Sequence, residues 1–430
     1  MAWSHGANQQ ESSDAPPLPR FGALGYPNYR WFWLANVARV FGMQFRFIGS
    51  GWLVTELTPS PVWLGIVGVA SALPMILLSV PAGALADRFD SKRLLVWSQW
   101  GTTVSMLAMA LLIVAGLVNV WVVVVWSALV GAQMSLGNPA QNAMLPRLIE
   151  KQAIPSAVAY MSGIWNVMGI VGPAAAGVMI AVIGTGQAFF VTAAGFGVSA
   201  ILLQTLRLAP IETRPHVPGG MLGGIRYIAS NQLFAAVIGL SFFTSIFGTS
   251  YTILLPNFAR SVLGQGSEVL GMMGTAVGVG ALIGTILIVR LAKSTALGPI
   301  MLLAAAAFGL CVAGFAASRS LPVVLAFLFA AGLTSSIYLN IGMTALQMLV
   351  PDELRGRVMG VWGMTWFLQA VGGLPVGILA AWVGTPTAIA IGALMVSAFA
   401  LLLLATVPSL RRIAPPAGAS ASRAPSPTRG

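Results

Sequence analysis

The sequence predicts an all-α polytopic membrane protein, with twelve transmembrane helices forming two pseudo-symmetric six-helix bundles. Three observations carry this. Of the 430 residues 57% are hydrophobic and only 7% are charged, too few charges to cover a soluble fold of this length. The apolar residues fall into twelve runs, each long enough to cross the roughly 30 Å hydrocarbon core of a bilayer. Basic residues are then confined almost wholly to one side. With both tails placed together, the tails and alternate loops hold 18 of the 22 Lys and Arg, and the opposite loops hold two, Arg260 and Arg319. Basic loops stay cytoplasmic, so both termini are expected in the cytoplasm. The net charge of +12 reflects that asymmetry and calls for no nucleic-acid partner.

Residues 1–28 are polar and Pro-rich, without the apolar core of a cleavable signal, and are expected to be a disordered cytoplasmic tail. An N-terminal bundle over 29–206 holds runs at 31–56, 61–86, 94–117, 119–142, 157–183 and 186–206. Pro210, Pro215, Pro218 and the Gly219-Gly220 pair then mark a cytoplasmic linker, 207–232. From Met221 to Phe234, Leu222, Ile225 and Ile228 share one helical face, the pattern of a short interfacial helix. A C-terminal bundle over 233–408 holds runs at 233–258, 267–290, 297–317, 321–349, 357–383 and 386–408. The run at 321–349 exceeds the bilayer width and must tilt or project. Residues 409–430, rich in Ala, Pro, Ser and Arg, are expected to form a second disordered tail. The single cysteine, Cys311, lies inside an apolar run and offers no disulfide.

The halves echo each other. Span 5 carries Gly163-Ile-Trp165, then Gly177 and Gly184-Thr185; span 11 carries Gly360-Val-Trp362, then Gly377 and Gly384-Thr385. Weak repeats of this kind mark transporters built by duplication, with the substrate site between the halves.

The loop between spans 2 and 3 concentrates charge in Gly83-Ala-Leu-Ala-Asp87-Arg88-Phe-Asp90-Ser-Lys92-Arg93-Leu94. So short a turn makes its two spans antiparallel neighbours. Gly83 allows close helix approach. Asp87, read as lying just past the helix end, is placed to face the positive N-terminus of another helix. Arg88, Lys92 and Arg93 suit an anionic membrane surface. The stretch resembles the loop signature of the major facilitator superfamily, Gly-x-x-x-Asp-Arg-x-Gly-Arg-Arg/Lys. Asp90 stands at the usual second Gly, a departure familiar in the enterobactin-exporter-like and macrolide-efflux-like drug:proton antiporter branch. Gly137-Asn-Pro-Ala-Gln-Asn142 with Leu145-Pro146-Arg147, and Pro351-Asp-Glu-Leu-Arg-Gly356-Arg357, resemble cytoplasmic segments of that branch. Gly169-Ile-Val-Gly172-Pro173-Ala-Ala-Ala-Gly177 resembles the Gly- and Pro-rich segment of antiporter members, with imperfect spacing. The small residues and Pro allow tight packing and a kink, which a close-packed helix pair of no transport significance would need equally. The resemblance implies a bacterial inner-membrane transporter that works by alternating access, as a monomer. It also implies that spans 1, 4, 7 and 10 line the cavity.

Span 1 holds the costliest residues. Arg39 and Arg46 are seven apart and share a stripe with Asn36, Met43 and Ser50. An Arg at the bilayer centre costs about 2.5–3.5 kcal/mol on insertion scales, so a watery cavity is expected around Arg46. The alternative is internal scaffolding on carbonyls and amide side chains. Polar stripes recur on span 4 (Asn138, Gln141), span 7 (Ser241, Ser245, Thr252) and span 10 (Ser336, Asn340, Thr344). Of these, Asn138, Gln141, Ser245, Asn340 and Thr344, with Asn36 and the two arginines, form the expected substrate-binding set. The expected gating set is Gly83, Asp87, Arg88, Arg93, Arg147, Gly172, Pro173 and Gly356, with Asp87 closing the cytoplasmic side against the start of span 11.

None of the ten acidic residues lies mid-span, and His5 and His216 fall in the tail and the linker. The buried carboxylate of a proton antiporter is therefore missing. Any proton coupling is left to Glu56 and Glu268, at the outer ends of spans 1 and 8. A cavity without an anion favours an anionic or zwitterionic amphiphile: a metabolite, a siderophore or a drug. A lysophospholipid flippase or facilitator is the runner-up. No Walker loop, metal-ligand cluster or Ser-His-Asp set supports an enzyme with a cofactor, and no large extramembrane segment supports a receptor.

Overall fold

The computed structural model describes residues 19–207, 221–291 and 296–411; within these, the side chains of 79–80, 82–88, 138, 221–225 and 352–353 lie outside the description. Among the described residues the chain is helical, and ten helical stretches are long and apolar enough to cross a membrane; with α1 and α2 they follow the order of the twelve expected spans. The first six are α1 (Pro27–Leu57), α2 (Val62–Arg88), α3 (Ser91–Val114), α4 (Val120–Leu148), α5 (Ile154–Ile183) and α6 (Thr185–Thr205). A short helix, α7 (Met221–Ser230), follows where the interfacial helix was expected, and Ile228 is buried in the core. Span 7 comprises α8 (Gln232–Phe243) and α9 (Tyr251–Asn257), with π turns at Thr244–Gly248 and Phe258–Val262. Spans 8 to 10 are α10 (Ser267–Leu291), α11 (Leu297–Ala317) and α12 (Leu321–Leu349). Span 11 is broken into α13 (Asp352–Gly363) and α14 (Thr365–Val383); α15 (Thr385–Thr406) is the twelfth, followed by the turn α16 (Pro408–Arg411).

Several boundaries differ from the sequence reading, each for a local reason. Helix α2 continues through Asp87 to Arg88 instead of ending before Asp87, since nothing in Gly83-Ala-Leu-Ala breaks it. The next helix starts almost at once because Asp90 is its N-cap: the carboxylate accepts from the backbone N–H of Lys92 at 2.7 Å and of Arg93 at 3.2 Å. The Asp that departs from the family signature thus satisfies two amides that a Gly would leave free. Helix α4 runs past Pro139 and Pro146 to Leu148. Lys92 Nζ donates to the carbonyls of Gln204 and Leu206 at the C-terminus of α6, where a cation meets the negative helix end.

The duplication is visible in geometry as well as sequence. Gly184 and Gly384 close spans 5 and 11 at φ 87° and 85°, a left-handed conformation that glycine adopts without strain. The threonine after each opens the next span and ties it to the end of the first span of its half. Thr185 Oγ1 donates to the Glu56 carboxylate at 2.9 Å, and Thr385 Oγ1 donates to Asn257 Oδ1 at 2.6 Å.

The halves meet at the end remote from the chain termini. One seam is α5 on α10. A Cβ on Gly177 would meet Ser267 O at 2.5 Å, and one on Gly271 would meet Pro173 O at 2.6 Å. Ser267 Oγ donates to Gly177 O, and Thr275 Oγ1 to Ile170 O, both at 3.0 Å. The second seam is α2 on α14, where a Cβ on Gly65 would meet Gly373 O at 2.6 Å. Helices α9 and α14 pack against the N-terminal half, whereas α8 and α13, on the terminus side of the same spans, pack within their own half.

Candidate substrate cavity

Beneath these seams lies a cavity of about 480 Å³ between the halves. Its walls come from α1, α2, α4, α5, α9, α10 and α14. The close helix approaches explain the choice: the small residues that draw spans 2, 5, 8 and 11 together also bring those helices to the cavity roof. Most of the wall is apolar (Leu64, Val67, Met75, Ile253, Val277), with an aromatic side at Phe47, Trp366 and Phe367. Trp366 is 68% exposed.

Arg46 is the only charged residue among the described residues that line it. Its Nε is buried with no hydrogen-bond partner. Gln44 is held nearby by donating from Nε2 to Met168 O at 3.2 Å, and Gly172 makes room for it, since a Cβ there would lie 2.6 Å from the Gln44 side chain. Ser127 Oγ is also buried without a partner, and Gln369 Nε2 donates to Thr252 Oγ1 at 2.6 Å. A guanidinium with a free donor in a largely apolar chamber can take a carboxylate, sulfate or phosphate group with strong charge-assisted bonds.

The other expected binding residues fall elsewhere. Arg39, 7% exposed, lines a separate pocket of about 10 Å³ inside the N-terminal half, with Ser98, Gln99 and Thr102. Its Nε donates to Asn36 Oδ1 at 3.3 Å, while Asn36 Nδ2 donates to Phe32 O. Arg39 and Asn36 therefore take the scaffolding arrangement, although the seven-residue spacing put Arg39 on the Arg46 stripe. Ser245 Oγ donates to Thr365 O at 2.6 Å, and Ser241 pairs with Thr365 Oγ1 at 3.0 Å. At the π turn Thr249 and Ser250 donate to Ser245 O, so the hydroxyls of this stretch are taken up by backbone and by α14. Span 10 contributes nothing to the wall: Asn340 Nδ2 donates to Ser336 O, Ser336 pairs with Thr285 of α10, and Thr344 is exposed away from the cavity. Gln141 is half-buried on α4 and does not line the cavity either. The side chain of Asn138 lies outside the described residues.

Of the gating set, Pro173 lies at the cavity wall and the α5–α10 seam, and Gly172 packs against Gln44 of α1. Arg93 is exposed at the start of α3, and Arg147 lies in the last turn of α4. Gly356, on α13, has open space where a Cβ would sit. The side chains of Gly83, Asp87 and Arg88 lie outside the described residues. Neither coupling candidate reaches the cavity. Glu56 is exposed at the end of α1, accepting from Trp52 Nε1 at 2.9 Å and from Thr185; Arg260 lies over the Trp52 ring, 5.5 Å from its centroid. Glu268 is half-buried in the first turn of α10, folded back over Gly266. Gln44 and Ser127 escaped the sequence reading.

Comparison with known proteins places this architecture. The family described as "Transmembrane secretion effector" matches residues 20–428. The staphyloferrin A transporter of Staphylococcus aureus is 26% identical over 82% of this chain and 89% of its own length. The multidrug efflux pump Tap of Mycobacterium tuberculosis is 29% identical over 81% and 84%. The enterobactin exporter EntS of Escherichia coli is 24% identical over 92% and 96%. Among solved structures, the nucleoside transporter NupG matches with a TM-score of 0.70 at 12% identity, covering 88% of this chain and 99% of NupG. A bacterial homologue of the lysosomal transporter Spinster, inward-facing and unoccupied, matches with 0.69 at 16%, covering 90% and 98%. The chain belongs to the transmembrane secretion effector family of major facilitator transporters.

Proposed function

We propose that this transporter exports a small amphiphilic anion or zwitterion from the cytoplasm by alternating access. The observation that carries the reading is Arg46: one unpartnered guanidinium in a largely apolar chamber between the halves, the only charge among the described residues that line it. An amphiphile would set its acidic group on Arg46 and its apolar body against Phe47 and Trp366. Relatives named for siderophores and for multidrug efflux support export of a compound in this class. The 18-to-2 distribution of basic residues supports cytoplasmic termini. The seams then lie at the outer face, the cavity opens inward, and substrate enters from the cytoplasm. Closing the cytoplasmic side would bring the Asp87 loop to the start of α13, whose N-terminus favours a carboxylate.

The test is flux through the purified full-length chain in proteoliposomes, using anionic, zwitterionic and cationic amphiphiles of matched chain length, with and without a proton gradient. Anionic or zwitterionic probes should be carried well ahead of cationic ones. A cationic preference that survives Arg46→Ala would overturn the assignment.

A further inference from the structure

We infer that the membrane potential drives this exporter by acting on Arg46, so that the protein is an electrogenic anion carrier with no need of a proton. The inference rests on the anion-binding reading above and adds its energy source. Two facts on different levels meet here. In sequence, no Asp, Glu or His lies mid-span, so no side chain of that kind can ferry a proton through the bilayer centre. In structure, Arg46 lines a cavity sealed on its outer side by the α5–α10 and α2–α14 seams.

An open cavity takes the potential of the compartment it faces, and the field falls across the seal. Alternating access moves the seal from the outer to the inner side of Arg46, so the guanidinium shifts from inner to outer potential almost without moving. In an inside-negative membrane the empty carrier, with its cationic cavity, is therefore held open to the cytoplasm. A full charge in the full field corresponds to about fifty-fold per 100 mV. A bound monoanion cancels the charge, removes this bias, and lets the loaded carrier turn outward. After release the restored charge returns the empty carrier inward. Each cycle moves one negative charge out. No other charged group among the described residues lines the cavity: Arg39 sits in its own pocket in the N-terminal half, and Glu56, Arg260 and Glu268 lie at the outer end.

The test starts without any substrate. In a Cys311→Ser background, Pro59→Cys and Gln265→Cys place dyes on exposed residues at the outer ends of the two halves. The reconstituted chain, tails inside, is set to 0 and −100 mV with potassium and valinomycin. The potential should close the outer end in wild type by up to about fifty-fold, do so equally in Arg46→Lys, and have no effect in Arg46→Gln. Absence of a response in wild type, or an undiminished one in Arg46→Gln, overturns the inference whatever the substrate. Octyl sulfate is then added as the anionic probe, with octyl trimethylammonium as control. Loss of the voltage response with octyl sulfate alone supports the full cycle. A response that persists under octyl sulfate overturns the anion reading beneath it, and potential-driven export with it.

Discussion

The outer seam offers the most direct physical test of alternating access, through Gly271→Ala. A Cβ at this position would sit 2.6 Å from Pro173 O and 3.1 Å from Gly177 Cα, all fixed by helical backbone. Ordinary contact begins near 3.4 Å, so α5 and α10 must part by roughly 0.8 Å or distort. Overpacking of this kind costs about 1–3 kcal/mol. Ala also improves the helix by about 1 kcal/mol over Gly, but this gain applies whether the seam is closed or open. The difference between conformations is therefore the steric cost alone, worth about a 5- to 150-fold shift toward the outward-open form at 1.4 kcal/mol per decade. Gly360→Ala is the control, since nothing lies within 4 Å of its Cβ position. The dye pair at residues 59 and 265 reads the opening, and flux reads its consequence. If Gly271→Ala populates the closed outer end as fully as wild type and Gly360→Ala do, the seam is not the gate and the reasoning fails.

Arg46→Ala should lower affinity for an acidic amphiphile at least tenfold while the melting temperature changes little; Arg46→Lys should recover part of it, because a point charge lacks the bidentate fork. Were Arg46 scaffolding, both variants would lose stability together with flux of every substrate. Asp87→Asn should cut transport while leaving expression near normal, since a carboxylate at a helix N-terminus contributes about 0.3–1 kcal/mol; unchanged flux removes the latch. Asp90→Ala should lower stability by about 1 kcal/mol through loss of the α3 cap, visible as a lower melting temperature with substrate affinity intact. Glu56→Gln and Glu268→Gln should leave any response to a proton gradient as weak as in wild type; a steep, saturable dependence that disappears in either variant would return coupling to that carboxylate.

The spans were legible because the bilayer imposes one dominant constraint: every apolar run of sufficient length must be a helix with internally satisfied backbone. The cavity was legible only in part. Arg46 declared itself through its cost at the centre of an apolar helix. Periodicity could not separate it from Arg39, because which helices pack against each residue is tertiary: α3 and α4 give Arg39 a closed polar pocket, whereas α5, α10 and α14 leave Arg46 a chamber. The serines of span 7 misled for a related reason. Ser241 and Ser245 are buried against Thr365 of α14, whose hydroxyl and carbonyl take up their hydrogen bonds, so they do not reach the cavity. A hydrophobicity pattern does not mark the π turn there, although Gly248 and the run of Ser and Thr around it are the local signal.

The duplication gives a reason why charge selectivity would rest on one half. The two halves share their hinge chemistry, with Gly184-Thr185 and Gly384-Thr385 tying equivalent helix ends, yet the partner is the charged Glu56 in one and the neutral Asn257 in the other. The asymmetry extends inward: span 1 carries Arg46 into the cavity, whereas the span 7 residues that line it, Thr252, Ile253, Leu255 and Pro256, are uncharged. On the proposed reading, mobility rests on the small-residue seams of both halves, and substrate charge is read by a residue that only one half carries. A substitution in a seam should therefore change turnover for all substrates alike, while one at Arg46 should change which substrates turn over.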